Sequence, residues 1–144
     1  MAVAKVFNLE QFLPYLLTQA AEASSLRFQT YYKDRYGMLR TDWRVLFHLG
    51  LYGEMTAREI GQRAGIHKTK ISRAVHRLSA NRFLTRARDT EDRRLEHLRL
   101  TPQGQTAYED LRRAAERYDA ELAVALTPEQ TRQLRSVLVK LAQI

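Results

Sequence analysis

No cysteine occurs among the 144 residues. That excludes disulfides, thiolate metal sites, a cysteine nucleophile and cysteine redox sensing together, and it suits a reducing compartment. Proline and glycine are scarce, at three and six, and no proline- or glycine-rich linker divides the chain. Long apolar runs are missing too: Phe12 to Leu17 and Leu122 to Leu126 are far too short to span a bilayer. The N-terminus has one lysine and no signal-peptide core, so a cytoplasmic location is expected. There is no glycine-rich phosphate loop and no Gly-x-Ser-x-Gly elbow. The four histidines, His48, His67, His76 and His97, show no metal-ligand spacing. No catalytic residue, metal or cofactor is expected.

What the chain does have is positive charge. Lysine and arginine total 24 against 16 acids, a formal charge of +8. Hydrophobic residues at 44% and charged residues at 28% describe a globular domain able to bury its own core. The charge is concentrated: residues 61–100 hold eleven basic and four acidic residues, +7 of the +8. Such a patch is the footprint of a nucleic-acid surface. The plain alternatives are a solvated arginine-rich face and an architectural or RNA-binding module that holds phosphates without reading sequence.

The pattern predicts mainly helices with one small β-hairpin. After an N-terminal arm over 1–12, Leu17, Ala21, Ser24, Phe28 and Tyr31 recur at helical spacing, giving a helix over 14–36 that Gly37 ends. Thr41 is expected to cap a second helix with Trp43, Leu46 and Phe47 inward; on that face Gly50 offers no side chain to bury. Thr56-Ala57-Arg58-Glu59 reads as a capping box opening a short helix that stops at Gly65. After the turn Ile66-His67, Ile71, Val75 and Leu78 mark the inner face of another helix. Two short helices joined by a tight turn form a helix-turn-helix candidate. Residues 83–89 and 95–100 read as a hairpin around a charged tip. Thr101-Pro102 and Thr127-Pro128 open two final helices, striped by Ala107, Leu111, Ala114, Tyr118, Leu122 and Ala125, and by Leu134, Val137, Leu138 and Leu141.

On the second motif helix, Thr69, Arg73 and His76 lie opposite the apolar face, flanked by Lys70, Ser72 and Arg77. A helix fits the major groove of B-DNA. Arg73 could donate two hydrogen bonds to a guanine, and Thr69 could meet a thymine methyl or a phosphate. Lys68 and Lys70 sit at the helix N-terminus, where the dipole already favours phosphate. Arg93 and Arg94 at the hairpin tip could enter an adjacent minor groove, with Asp92 orienting an arginine.

These residues resemble the MarR family of winged helix-turn-helix regulators. The resemblance is densest from Leu46 to Gly104 and is carried by Lys68-Thr69-Lys70-Ile71-Ser72-Arg73-Ala74-Val75, by Arg86, by Asp89-Thr90-Glu91-Asp92-Arg93-Arg94, and by Leu98-Arg99-Leu100-Thr101-Pro102-Gln103-Gly104. It implies a homodimer joined through N- and C-terminal helices (1–36 and 102–144) around a DNA-binding lobe (37–101). It makes Arg94 the minor-groove arginine and Asp92 its orienting partner. It implies a pseudo-palindromic double-stranded operator and, more often than not, repression. Two positions depart from the family pattern. His67 stands where a stronger N-cap is usual, which opens a pH response there. Asn81-Arg82 replaces a glycine before the wing, and Asn81 is expected to take the left-handed turn. The resemblance also implies a small aromatic acid as effector. Near the expected pocket stand Tyr31, Tyr36, Arg40, Trp43, Arg44, Phe47 and His48, with Phe28 and Tyr32; filling an interface core is the alternative role for these rings.

Overall fold

A computed structural model describes residues 5–144; the first four residues of the expected N-terminal arm lie outside the described residues. The order is α1 (Leu13–Tyr36), α2 (Arg40–Tyr52), β1 (Met55–Thr56), α3 (Ala57–Ala64), α4 (Lys68–Ala80), β2 (Leu84–Arg88), β3 (Glu96–Leu100), α5 (Pro102–Ala123) and α6 (Pro128–Ala142). The sheet runs β1-β3-β2, antiparallel throughout. Among the described residues no helix is long and apolar enough to cross a membrane.

Chain chemistry accounts for most boundaries. Pro14 sits in the first turn of α1, where a missing N–H costs nothing. Gly37 ends that helix at φ +64, its N–H donating to the Lys33 carbonyl at 2.8 Å. The start of α2 corrects an expectation: Thr41 lies inside the helix, and the Asp42 carboxylate accepts from the Leu39 N–H at 2.9 Å. Half of the expected box opens α3, with the Thr56 hydroxyl accepting from the Glu59 N–H at 3.1 Å. His67 does cap α4: its Nδ1 accepts from the Thr69 N–H at 3.2 Å. The full reciprocal box forms at α6, between Thr127 and Gln130.

The core joins the long helices to the lobe. Its fully buried members include Tyr32, Leu46, Ile60, Ile71, Leu78, Leu98 and Leu111. The buried face of α2 is Asp42, Val45, Leu46 and Leu49. Trp43 and Phe47 are half-buried, in a layer of rings in which Phe28–Trp43, Trp43–Phe47 and Phe47–Tyr108 all meet edge to face within 5.2–5.4 Å. Gly50 is the seat of the Tyr108 ring; a Cβ there would fall 2.4 Å from it. The empty position on that face therefore lets α5 approach α2.

A second close approach joins the wing to α5. The Thr101 hydroxyl donates to the Arg82 carbonyl at 2.6 Å and accepts from the Gly104 N–H at 2.9 Å. A Cβ on Gly104 would fall 1.9 Å from the Phe83 carbonyl oxygen. The turn before the wing also departs from expectation. Asn81 stays at φ −88, and Arg82 takes the left-handed conformation at φ +64. The Phe83 N–H must reach back to the Leu78 carbonyl, which it does at 2.8 Å, and Arg82 is the residue that turns the chain for that bond. The apolar stripe of α6 reaches no core: α6 has no buried residue, and Leu134, Val137, Leu138 and Leu141 are exposed, as are Leu13, Leu16, Leu17 and Leu26 on α1.

A left-handed conformation strains a residue bearing a Cβ and is free for glycine. Arg82→Gly is therefore expected to stabilise the fold by about 0.5–1 kcal/mol in urea unfolding, net of the added freedom of the unfolded chain.

Candidate nucleic-acid interface

Burying Ile71, Ala74, Val75 and Leu78 leaves Lys68, Thr69, Lys70, Ser72, Arg73 and His76 exposed along α4. This is the face expected from the helical period. Arg77 is the exception. Its guanidinium turns back to α2, with Nε 3.0 Å and Nη2 2.7 Å from Asp42 Oδ1. Asp42 is 2% exposed and accepts from the Leu39 N–H as well, so its lone pairs are filled. The same hydrogen bonds push the Arg77 pKa further up. Arg77 is an anchor that sets α4 on α2, a correction to its placement among the outward-facing contacts.

The hairpin carries the second set. Arg94 Nε donates to Asp92 Oδ1 at 3.0 Å and Nη2 to Oδ2 at 3.1 Å, while the Arg94 backbone N–H also reaches Oδ1. Arg94 stays 90% exposed. A single carboxylate thus fixes both the direction and the backbone of an arginine that projects into solvent. The Arg94 hydrogen bonds hold the Asp92 carboxyl below the usual range. Beneath it, Asp89 accepts from the Asp92 N–H at 2.8 Å, the Glu91 N–H at 3.1 Å and His97 Nε2 at 3.0 Å, and these bonds also depress its carboxyl. Arg93 is exposed at the tip. Arg86 is held flat on the hairpin by Glu96, with Nε 3.0 Å from Oε2 and Nη2 3.1 Å from Oε1.

Helix and hairpin face each other across one groove of about 650 Å³. Gly61, Ile71 and Val75 line it together with Lys68 and Ser72 of α4 and Arg86 and Glu96 of the hairpin. The cleft is thus enclosed by α3, one flank of α4 and the base of the hairpin, while Thr69, Arg73 and His76 and the tip residues Arg93 and Arg94 lie outside its lining.

The expected effector residues do not converge. Tyr36 donates to Asp110 Oδ2 at 2.6 Å, and burial together with that carboxylate pushes its hydroxyl up to about 12. Arg40 pairs with Glu22 at 3.4 Å. Arg44 Nη2 donates to the Ala64 carbonyl at 2.7 Å, closing the end of α3, and His48 Nδ1–H donates to the Arg44 carbonyl at 2.6 Å. Trp43 and Phe47 belong to the ring layer, and Tyr31 packs on Phe28 and Tyr118. In the single chain these residues take different partners: Tyr36 on α5, Arg40 on α1 and Arg44 on α3. A smaller groove of about 240 Å³ is lined by Ser24, Phe28, Trp43, Ala115, Tyr118 and Leu122, with Asp119 at its side.

Sequence reasoning passed over Asp42, which carried only the signal of an acid in a first helical turn, and Asp89, whose distance of three residues from Asp92 is that of a side chain folding a turn.

Residues 36–95 match the family model described as the MarR family. The HTH-type transcriptional regulator YwaE of Bacillus subtilis is 26% identical over 126 residues, covering 88% of this chain and 74% of that protein. The HTH-type transcriptional repressor MdtR of Bacillus subtilis is 26% identical, covering 76% and 71%. Among solved structures, Bordetella bronchiseptica BpsR superposes with a TM-score of 0.88 at 21% identity, covering 97% of this chain and 99% of that one.

Removing Arg77 leaves the Asp42 carboxylate buried with one backbone donor. Arg77→Ala is expected to lower stability by about 2–3 kcal/mol, read from urea unfolding. A loss under about 0.5 kcal/mol, the size of an ordinary surface change, would remove the anchoring role.

Proposed function

We propose that the chain is a winged helix-turn-helix regulator of the MarR family, whose model matches residues 36–95, and that it acts as a two-fold homodimer that represses transcription from a pseudo-palindromic operator. Its relatives are transcriptional regulators, not enzymes. The observation that carries the reading is an exposed basic face on α4 beside a hairpin that ends in an Asp92-held Arg94, with Lys68 and Ser72 of the helix and Arg86 of the hairpin meeting across one cleft. A duplex laid on this surface receives α4 in the major groove, with Arg73 and Thr69 at base edges and Lys68 and Lys70 at phosphates. Arg94, already oriented, enters the minor groove without first losing rotamer freedom. Arg86, His76 and Ser72 flank these contacts. The uncovered apolar faces of α1 and α6 are the surfaces a second copy would bury, setting two lobes about one helical turn, on the order of 10 bp, apart. Repression follows the relative named a repressor.

A second reading concerns an effector. In BpsR, DNA binding is regulated by 6-hydroxynicotinic acid. Here the groove beside Phe28, Trp43 and Tyr118, at about 240 Å³, is smaller than usual ligand sites of roughly 300–1,000 Å³, so we infer a single-ring aromatic acid. Arg27, 5.5 Å from the Tyr118 ring centroid, is the cation at this edge, in place of Arg40 and Arg44.

DNA docking is tested by footprinting the DNA that flanks the protein's own gene across a salt series. Arg73→Ala is expected to cost about 1–3 kcal/mol of operator affinity, and Arg94→Ala to weaken the footprint, with folding unchanged by circular dichroism. Normal affinity in both variants would sink the docking, and binding with no discrete footprint would favour an architectural module. For the effector, benzoate, cinnamate and 6-hydroxynicotinate are added in turn. The fitting acid is expected to raise the melting temperature and weaken DNA binding; a panel that moves neither overturns the site.

A further inference from the structure

His97 stands on β3 between two carboxylates. Its Nε2 is 3.0 Å from Asp89 Oδ1 and its Nδ1 is 4.0 Å from Glu54 Oε2. Arg99, two residues along the same strand, donates to the other Glu54 oxygen, Oε1, at 3.0 Å. The cross-strand partners of His97 are uncharged, Ala87 on β2 and Thr56 on β1. The carboxylates that meet the ring are Asp89 from the wing turn and Glu54 from the segment between α2 and β1, and Arg99 from the same strand meets Glu54. Two carboxylates against one guanidinium leave this cluster one positive charge short.

We propose that His97 is a positioning residue for the wing: on taking up a proton it ties the wing turn to Glu54 and through Asp89 fixes the loop that aims Arg94. This rests on the reading that the wing meets DNA. A neutral imidazole has one N–H. With that hydrogen on Nε2 it donates to Asp89, and Nδ1 offers only a lone pair toward Glu54, which matches the 4.0 Å gap. A protonated ring donates from both nitrogens and can close that gap. The effect passes to Arg94 by a short route. Asp89 receives His97 on one oxygen, and its other oxygen holds the Glu91 and Asp92 N–H groups. Asp92 in turn holds Arg94. Wing order and wing-dependent DNA affinity therefore rise together as the ring takes up its proton. Comparing wild type with a His97 variant subtracts every other pH-dependent contribution.

The test uses the full-length protein in two arms. In the first, amide hydrogen exchange at Glu91, Asp92 and Arg94, corrected for intrinsic rates, is followed by NMR from pH 8 to 5.5 in wild type and in His97→Gln. Glutamine keeps a donor for Asp89 and cannot gain charge. Protection is expected to rise about two- to fivefold in wild type, the range of an exposed ion pair, and to stay flat in His97→Gln. In the second arm, affinity for a duplex selected by this protein from a random pool is measured over the same pH range in wild type, His97→Gln, Arg94→Ala and the double variant. The wild-type gain is expected to exceed the His97→Gln gain by a similar factor, and that excess to vanish on the Arg94→Ala background. Equal protection curves in wild type and His97→Gln overturn the positioning role. A wing that orders with pH while Arg94→Ala binds as tightly as wild type overturns the DNA reading beneath it.

Discussion

The lobe is organised by one ion pair between the buried carboxylate of Asp42 and the half-buried guanidinium of Arg77. Asp42 opens α2 by accepting from the Leu39 N–H and, with the remaining capacity of the same carboxylate, takes the Arg77 guanidinium from the far half of α4. Isolated from its surroundings such a pair contributes little net stability, because desolvating two charges offsets most of their attraction. Its effect is geometric. The apolar contacts of Ile71, Val75 and Leu78 on α4 would accept small slides and rotations, whereas a forked donor on a planar carboxylate accepts few. The helix that carries Arg73 is thereby held at a defined rotation on the scaffold, and the exposed basic face follows from that rotation.

A similar economy runs through the wing. Asp89 folds the turn, Asp92 holds Arg94, and Glu96 holds Arg86. Three carboxylates that lower the local positive charge thus each hold a cation or a backbone group in one place. The charge sum of residues 61–100 hides this arrangement. It counts Arg73, whose charge is exposed, alongside Arg77, whose half-buried charge is paired with Asp42. The near-neutral remainder of the chain forms the long helices, and these leave apolar faces on α1 and α6 uncovered.

Much of this was legible in the chain. Gly37 and Gly65 end helices as expected, Thr101 and Thr127 cap them, and the period of Ile71, Val75 and Leu78 sorts α4 into an inner and an outer face. Each of these is a local signal, set by residues within about one turn. What escaped was non-local. Asp42 lies 35 residues from Arg77, and nothing near Arg77 distinguishes it from its exposed neighbours. β1 is two residues long, too short to show a period, and exists only because β3 pairs with it. The left-handed turn fell on Arg82, against local propensity, because the Phe83 N–H must meet Leu78. The effector residues were grouped by nearness in sequence, while the fold sends Arg44 to α3, Tyr36 to α5 and Trp43 to the ring layer.

The contact between Gly104 and the Phe83 carbonyl gives the long fifth helix a mechanical character. With the Thr101 hydroxyl bonded to both sides of the junction, the wing root and the first turn of α5 move as one piece. The 22 residues of α5 make a rod of about 33 Å. A tilt of about 6° about that root sweeps its far end through about 3.4 Å, the rise of one base pair along DNA. In the proposed homodimer, a tilt of the same size about the far end of the rod would instead carry the wing root through that distance, a whole base-pair step at the DNA-facing lobe.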